Sequence, residues 1–167
     1  MKKIVRIPEN INEITLGQYQ KFQVVCKDLE GEFLRQRTIE VFCGLAFHEV
    51  LNMRQKDINY IYSELETVLQ DKGSFKNRFE IAGEEFGFIP NLDEITSGEF
   101  ADLSAYMGDE QKLHLAMAVM FRPIIETQDD KYDIIPYNGT KDFAEIMKFA
   151  PLGCALGAMV FFWSLAK

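Results

Sequence analysis

One short pattern occurs twice in this chain. The first copy reads Ile7-Pro8-Glu9-Asn10-Ile11-Asn12-Glu13-Ile14-Thr15-Leu16-Gly17-Gln18-Tyr19. The second reads Ile89-Pro90-Asn91-Leu92-Asp93-Glu94-Ile95-Thr96-Ser97-Gly98-Glu99-Phe100, and a single gap aligns the two. The shared core is an Ile-Pro step, a short polar loop, and then Glu-Ile-Thr-x-Gly followed by Gln or Glu and an aromatic ring. Duplication constrains a chain to a repeated structural unit and says nothing by itself of a reaction. Thr15 with Gln18, and Thr96 with Glu99, have the spacing of a capping box. Each copy therefore predicts a strand end, a loop and a specified helix start. Gly at the second helical position is a poor helix former, which predicts a close neighbour there. Tyr19 and Phe100 are expected to be the first core anchors of their helices. The polar loop positions Asn10, Asn12, Asn91 and Asp93 are candidates for surface contact, with loop capping as the plainer role.

The rest of the chain extends this frame. Lys3 to Ile7 predicts a short strand ended by Pro8, able to share a small sheet with the strand before the second copy. Helices are expected over Leu16 to Leu29, Glu32 to Phe47 and Asp57 to Gln70. The third has a clear stripe at Ile58, Ile61, Tyr62, Leu65, Val68 and Leu69. Phe75 to Ile81 and Glu85 to Ile89 read as a hairpin around Ala82-Gly83-Glu84. A helix from Gly98 to Met107 should follow, then a strongly apolar helix from Glu110 to Ile125. Thr127 to Lys131 reads as a loop, Tyr132 to Tyr137 as a short strand, and Lys141 to Lys148 as the start of the last helical region. The expected fold class is α+β, mainly α-helical with a small antiparallel sheet. It is expected as one domain, 1–167, with pseudo-repeat halves of about 1–72 and 75–167 and no linker between them.

A 47% apolar fraction and 14 Phe among 167 residues support a packed core and argue against disorder. The net charge of −8 opposes general binding to phosphate backbones, and only Lys2-Lys3 and the Arg35–Arg37 stretch are locally basic. Cys26, Cys43 and Cys154 are odd in number and form no CxxC pair. They read as reduced core or half-buried thiols of a reducing compartment. The start of the chain lacks the apolar stretch of a signal peptide.

The segment from Phe149 to Ala166 contains no charged residue and carries a GxxxG at Gly153 and Gly157. A C-terminal membrane anchor and a buried helix both fit that composition. From Pro151 to Ala166 a helix spans about 24 Å, short of a ~30 Å hydrocarbon core. Gly153, Gly157, Val160 and Ser164 make a slender stripe beside the bulkier Leu152, Leu156, Met159 and Trp163. That pattern suits a helix wedged between other elements.

Catalytic motifs do not emerge. The P-loop, GxGxxG and GxSxG patterns are missing from the sequence. His48 and His114 have no metal partner at i+3 or i+4, and His114 is expected as a hydrogen-bonded core histidine. Cys43 and His48 lie on poorly matched faces of one predicted helix. Glu84-Glu85, Asp93-Glu94 and Asp129-Asp130 are neighbours in loops or turns, unlike carboxylates facing across a cleft. Asp129, Asp130 and Asp133 lack the Gly and the closing Glu of an EF-hand loop. Arg122, expected at the end of the apolar helix, suits pairing with a buried carboxylate or, alternatively, anion binding. Catalytic, cofactor-binding and metal-ligating residues are accordingly not assigned.

The stretch from Phe79 to Phe100 resembles a recurring segment in small proteins of tailed bacteriophages, with the crAss-like phages of gut bacteria nearest. Met120-Phe121-Arg122-Pro123-Ile124, Tyr137-Asn138-Gly139 and the closing Pro151-Leu152-Gly153, Ala155-Leu156-Gly157-Ala158 and Phe161-Phe162 are similar to that group too. The resemblance covers most of the chain from Phe79 onward and the first copy more weakly. It implies a non-enzymatic structural accessory of the virion, at the capsid, the portal vertex or the tail, present in multiple copies. Its partners would be other phage structural proteins, with no direct contact to nucleic acid. It would reside in the virion, and in the host cytoplasm during assembly. An assembly chaperone absent from the mature particle is the alternative, and a small C-terminally membrane-anchored protein the second.

Overall fold

A computed structural model describes residues 4–165. Its fold is α+β, mainly helical, with one four-stranded antiparallel sheet. The helices are α1 (Leu16–Val25), α2 (Gly31–Cys43), α3 (Phe47–Leu51), α4 (Gln55–Leu69), α5 (Ser97–Tyr106), α6 (Leu113–Met120) and α7 (Leu152–Leu165). The strands are β1 (Arg78–Ile81), β2 (Glu84–Phe88), β3 (Phe121–Gln128) and β4 (Lys131–Ile134), in the spatial order β1-β2-β3-β4.

The duplicated pattern folds the same way twice. Asn10 accepts from the Asn12 N–H at 2.9 Å and opens a 3₁₀ turn, Ile11–Glu13. Asn91 accepts from the Asp93 N–H at 3.0 Å and opens another, Leu92–Glu94. These asparagines are therefore loop caps, the plainer of the two expected roles. Both capping boxes then close. The Thr15 hydroxyl accepts from the Gln18 N–H at 3.1 Å, and the Gln18 carbonyl oxygen accepts from the Thr15 N–H at 2.9 Å. The Thr96 hydroxyl accepts from the Glu99 N–H at 3.1 Å, and a Glu99 oxygen accepts from the Thr96 N–H at 3.3 Å.

Several expected elements end elsewhere. The apolar helix predicted over Glu110 to Ile125 stops at Met120 and becomes β3. Pro123 explains the switch: the residue before a proline is driven out of the helical region, so Arg122 is extended. Phe121 to Pro123 pair with β2, and beyond a bulge at Ile125 the strand turns to β4. The expected loop at Thr127 to Lys131 is the tight end of that β3–β4 hairpin, with Asp129 at a positive φ of 57°. The helix predicted from Glu32 to Phe47 is two helices. Gly44 at φ 64° caps α2 in the left-handed conformation, and α3 starts afresh at Phe47. α1 ends at Val25, short of Leu29. Residues 141–148 make turns and a 3₁₀ segment, Ile146–Phe149.

The strand predicted over Lys3 to Ile7 is not formed by residues 4–7, and Lys3 lies outside the described residues. A short run needs a free sheet edge to pair with, and these residues meet helices instead. Val5 and Ile7 line a cleft with Leu45, Met53 and Ile61. The first copy thus lacks the strand that precedes the second. The hairpin before the second copy forms as expected, with Ala82 and Gly83 both at positive φ in a two-residue turn.

One hydrophobic cluster runs from Ile11 to Ala158 and draws on both halves of the chain. Phe86, Phe121, Met117, Met120 and Leu152 are among its fully buried members. α7 locks into it through its glycines. A Cβ on Gly153 would lie 2.3 Å from the Asn12 side-chain oxygen, and one on Gly157 would lie 2.2 Å from the Ser74 backbone. The GxxxG stripe therefore seats the helix against its own chain. No helix among the described residues is long and apolar enough to cross a membrane.

Candidate interaction site

Several of the ionisable groups singled out in the sequence have partners within the fold. Arg122 lies in β3, not at a helix end, and its Nη1 meets Glu99 at 3.1 Å. Both side chains are buried. Arg122 also donates to the carbonyls of Val119 and Ile135, at 2.6 and 2.9 Å, and lies over the Tyr137 ring. Pairing with a buried carboxylate is thus what the structure assigns to Arg122. That carboxylate belongs to the second capping box. One Glu99 oxygen serves Thr96 and the other serves Arg122. At the matching position Gln18 caps with its oxygen and donates from its amide nitrogen to the Val41 carbonyl at 3.3 Å. The Gln/Glu difference between the copies therefore selects what each helix start is tied to.

His114 is half-buried, and its Nδ1 accepts from the Gln20 amide at 3.1 Å. Burial, reinforced by Lys148, pushes its pKa below the ordinary value. Cys26 and Cys154 are buried and Cys43 half-buried, all as free thiols. Burial raises all three, Cys43 to about 11, which keeps them protonated and weakly nucleophilic. Gly44 separates Cys43 from the helix that carries His48. Burial and a hydrogen bond to Asp102 raise the Tyr137 phenol. Glu85 pairs with Arg78, and Asp129-Asp130 form a hairpin turn. Among the described residues, no three His, Cys, Asp or Glu side chains come together in a way that could hold a metal ion.

Exposed apolar groups are the feature left over. Beyond Ala158 the outer end of α7 shows Val160, Trp163 and Leu165 to solvent, with Trp163 47% exposed and edge-on to Phe162. A second set surrounds the second copy. Phe100, expected as a core anchor, is 58% exposed, as is Ile125 at the β3 bulge. Its counterpart Tyr19 is half-buried and stacks on Phe22.

The two copies differ most in what covers them. The segment leading into α7 lies across the first. The Leu16 N–H donates to the Ala150 carbonyl at 2.9 Å, and the Leu152 N–H donates to the Ile14 carbonyl at 2.8 Å. These bonds bracket a bridge between Thr15 and Pro151. Ile11, Ile14 and Leu16 are buried beneath it, and a Cβ on Gly17 would meet the Lys148 carbonyl at 3.0 Å. Among the described residues, no such segment crosses the second copy. Leu92 and Ile95 are only half-buried, Thr96 and Ser97 are exposed, and a Cβ on Gly98 would meet nothing within 4 Å. Sequence spacing revealed both helix starts, but it carried no signal of this difference in cover. Comparison with protein-family models, with curated proteins and with solved structures found no match to this chain.

Proposed function

We propose that this protein is a structural accessory of a tailed-phage virion that works by docking to other structural proteins. The observation that carries the docking role is the exposed apolar end of α7, where Val160, Trp163 and Leu165 continue a helix whose first half is buried. Exposed aromatic and aliphatic side chains on a chain of net charge −8 favour association with an apolar partner surface. The similarity of the Phe79 to Phe100 stretch and of the closing segment to small proteins of crAss-like phages supports placing that partner in a virion. Capsid, portal-vertex and tail proteins are the partner class, and host cytoplasm is the site of assembly.

Quantitative proteomics of purified particles tests this reading. A fixed stoichiometry to the major structural proteins is expected, in more than one copy per particle. Presence in infected cells but absence from purified particles would overturn the virion role and favour an assembly chaperone.

A further inference from the structure

The two copies of the repeat share their caps, their 3₁₀ turns and their second-position glycine, yet only one is covered. In the first copy Gly17 has a reason to be glycine, because the Lys148 backbone lies on it. Gly98 has no such reason within the chain, although glycine disfavours a helix wherever nothing requires it. The backbone groups that bind the α7 lead-in, the Ile14 carbonyl and the Leu16 N–H, correspond to the Ile95 carbonyl and the Ser97 N–H. Among the described residues, neither of the latter has a hydrogen-bond partner.

From this asymmetry we propose that residues 95–100 bind an extended segment of a different protein, patterned like Ala150-Pro151-Leu152-Gly153. The segment would lie antiparallel to residues 95–97, bonding the Ile95 carbonyl and the Ser97 N–H by short strand addition. Its backbone passes over Gly98, and its apolar side chains cover Leu92, Ile95 and Phe100. The first copy supplies the template for this occupant. This chain's own segment is already engaged at the first copy, which favours a foreign chain over a second copy. Ser97 in place of Leu16 keeps the position compatible with water when empty, as a separable partner requires. Asp93 and Glu94 are exposed at the end of the site that matches Asn12 and Glu13, against which Gly153 packs in the first copy, and favour a basic residue following the segment. The inference deepens the docking reading by naming a surface and the chemistry of what it takes. The particle measurement does not refer to this surface, so either can fail alone.

The test uses the full chain and an acetylated, amidated peptide of sequence EIMKFAPLG, copying residues 145–153. Backbone amide shifts are followed by NMR as the peptide is added. Saturable shifts at Ser97 to Phe100 are expected, with a Kd below about 1 mM. Gly98→Leu should weaken binding at least tenfold while leaving the circular dichroism spectrum and thermal midpoint undiminished, since its side chain enters open space. Absence of saturable shifts up to 2 mM peptide, shifts confined to other residues, or equal binding by Gly98→Leu would each overturn the proposal. Sedimentation showing that the protein dimerises, and that Gly98→Leu abolishes the dimer, would overturn the foreign-chain assignment in favour of a second copy.

Discussion

Replacing Glu99 by glutamine leaves size and shape nearly unchanged and removes one oxygen acceptor. Glu99 uses both oxygens: one accepts from the Thr96 N–H and hydroxyl, the other from Arg122. The amide oxygen can still close the capping box. Its NH₂ group then faces the Arg122 guanidinium, donor against donor, in a site where both side chains are less than a tenth exposed. Breaking one partner of a buried ion pair costs about 3–5 kcal/mol. Arg122 keeps the Val119 and Ile135 carbonyls, which puts Glu99→Gln at the low end, about 3 kcal/mol. For a chain of this size that corresponds to a melting temperature lower by about 6–12 °C. Urea unfolding followed by circular dichroism measures the free energy directly, provided the slope with denaturant is unchanged. The mirror change, Gln18→Glu, keeps a capping oxygen and loses the donor to Val41, at a cost of about 1 kcal/mol. Adding Arg122→Met to Glu99→Gln should cost less than the two single changes summed, because the unpaired charge is then gone. A loss below about 1 kcal/mol for Glu99→Gln, or strict additivity with Arg122→Met, would refute the assignment of this pair as a buried strut.

Three further outcomes follow from the same contacts. Thr15→Ala and Thr96→Ala each remove a capping hydroxyl and should each lower stability by about 1 kcal/mol; an unchanged thermal midpoint for Thr96→Ala would refute its capping role. Gly157→Ala drives a Cβ to 2.2 Å from the Ser74 backbone and should destabilise by about 3 kcal/mol, whereas Gly98→Ala should be neutral or stabilising by up to about 1 kcal/mol. Equal effects at the two glycines in urea unfolding would contradict the seating of α7. His114 has a folded-state pKa below its unfolded value of 6.5, so its contribution is present above pH 6.5 and lost as pH falls through the folded value. In that window the unfolded state binds more protons, and protonation at Nδ1 would set a donor against the Gln20 amide; Lys148 disfavours the cation and Glu145 opposes that effect. His114→Leu should flatten the loss of stability as pH falls below 6.5, and an unchanged slope would remove His114 as its source.

Local chemistry made much of this fold legible from residues alone. Thr15 with Gln18, and Thr96 with Glu99, are bonds between neighbours in the chain, so their spacing suffices to predict them. The turn at Ala82-Gly83 and the apolar stripe of α4 are local in the same sense. At the α6–β3 switch Pro123 locally bars Arg122 from the helix, but Phe121 to Pro123 become a strand only where β2 is present to pair with them. Gly44 carried a stop signal that the apolar pattern running through it obscured.

What sequence alone determined, then, is the pair of capped helix starts, the hairpin ahead of the second, and a terminal helix with one slender face. Only the tertiary structure decided that Glu99 holds Arg122 while Gln18 holds Val41. It alone decided that the α7 lead-in covers the first copy and leaves the second open. The physical reason is range: a cap is satisfied within three residues, whereas Ala150 and Leu152 reach Leu16 and Ile14 only once the intervening chain has packed.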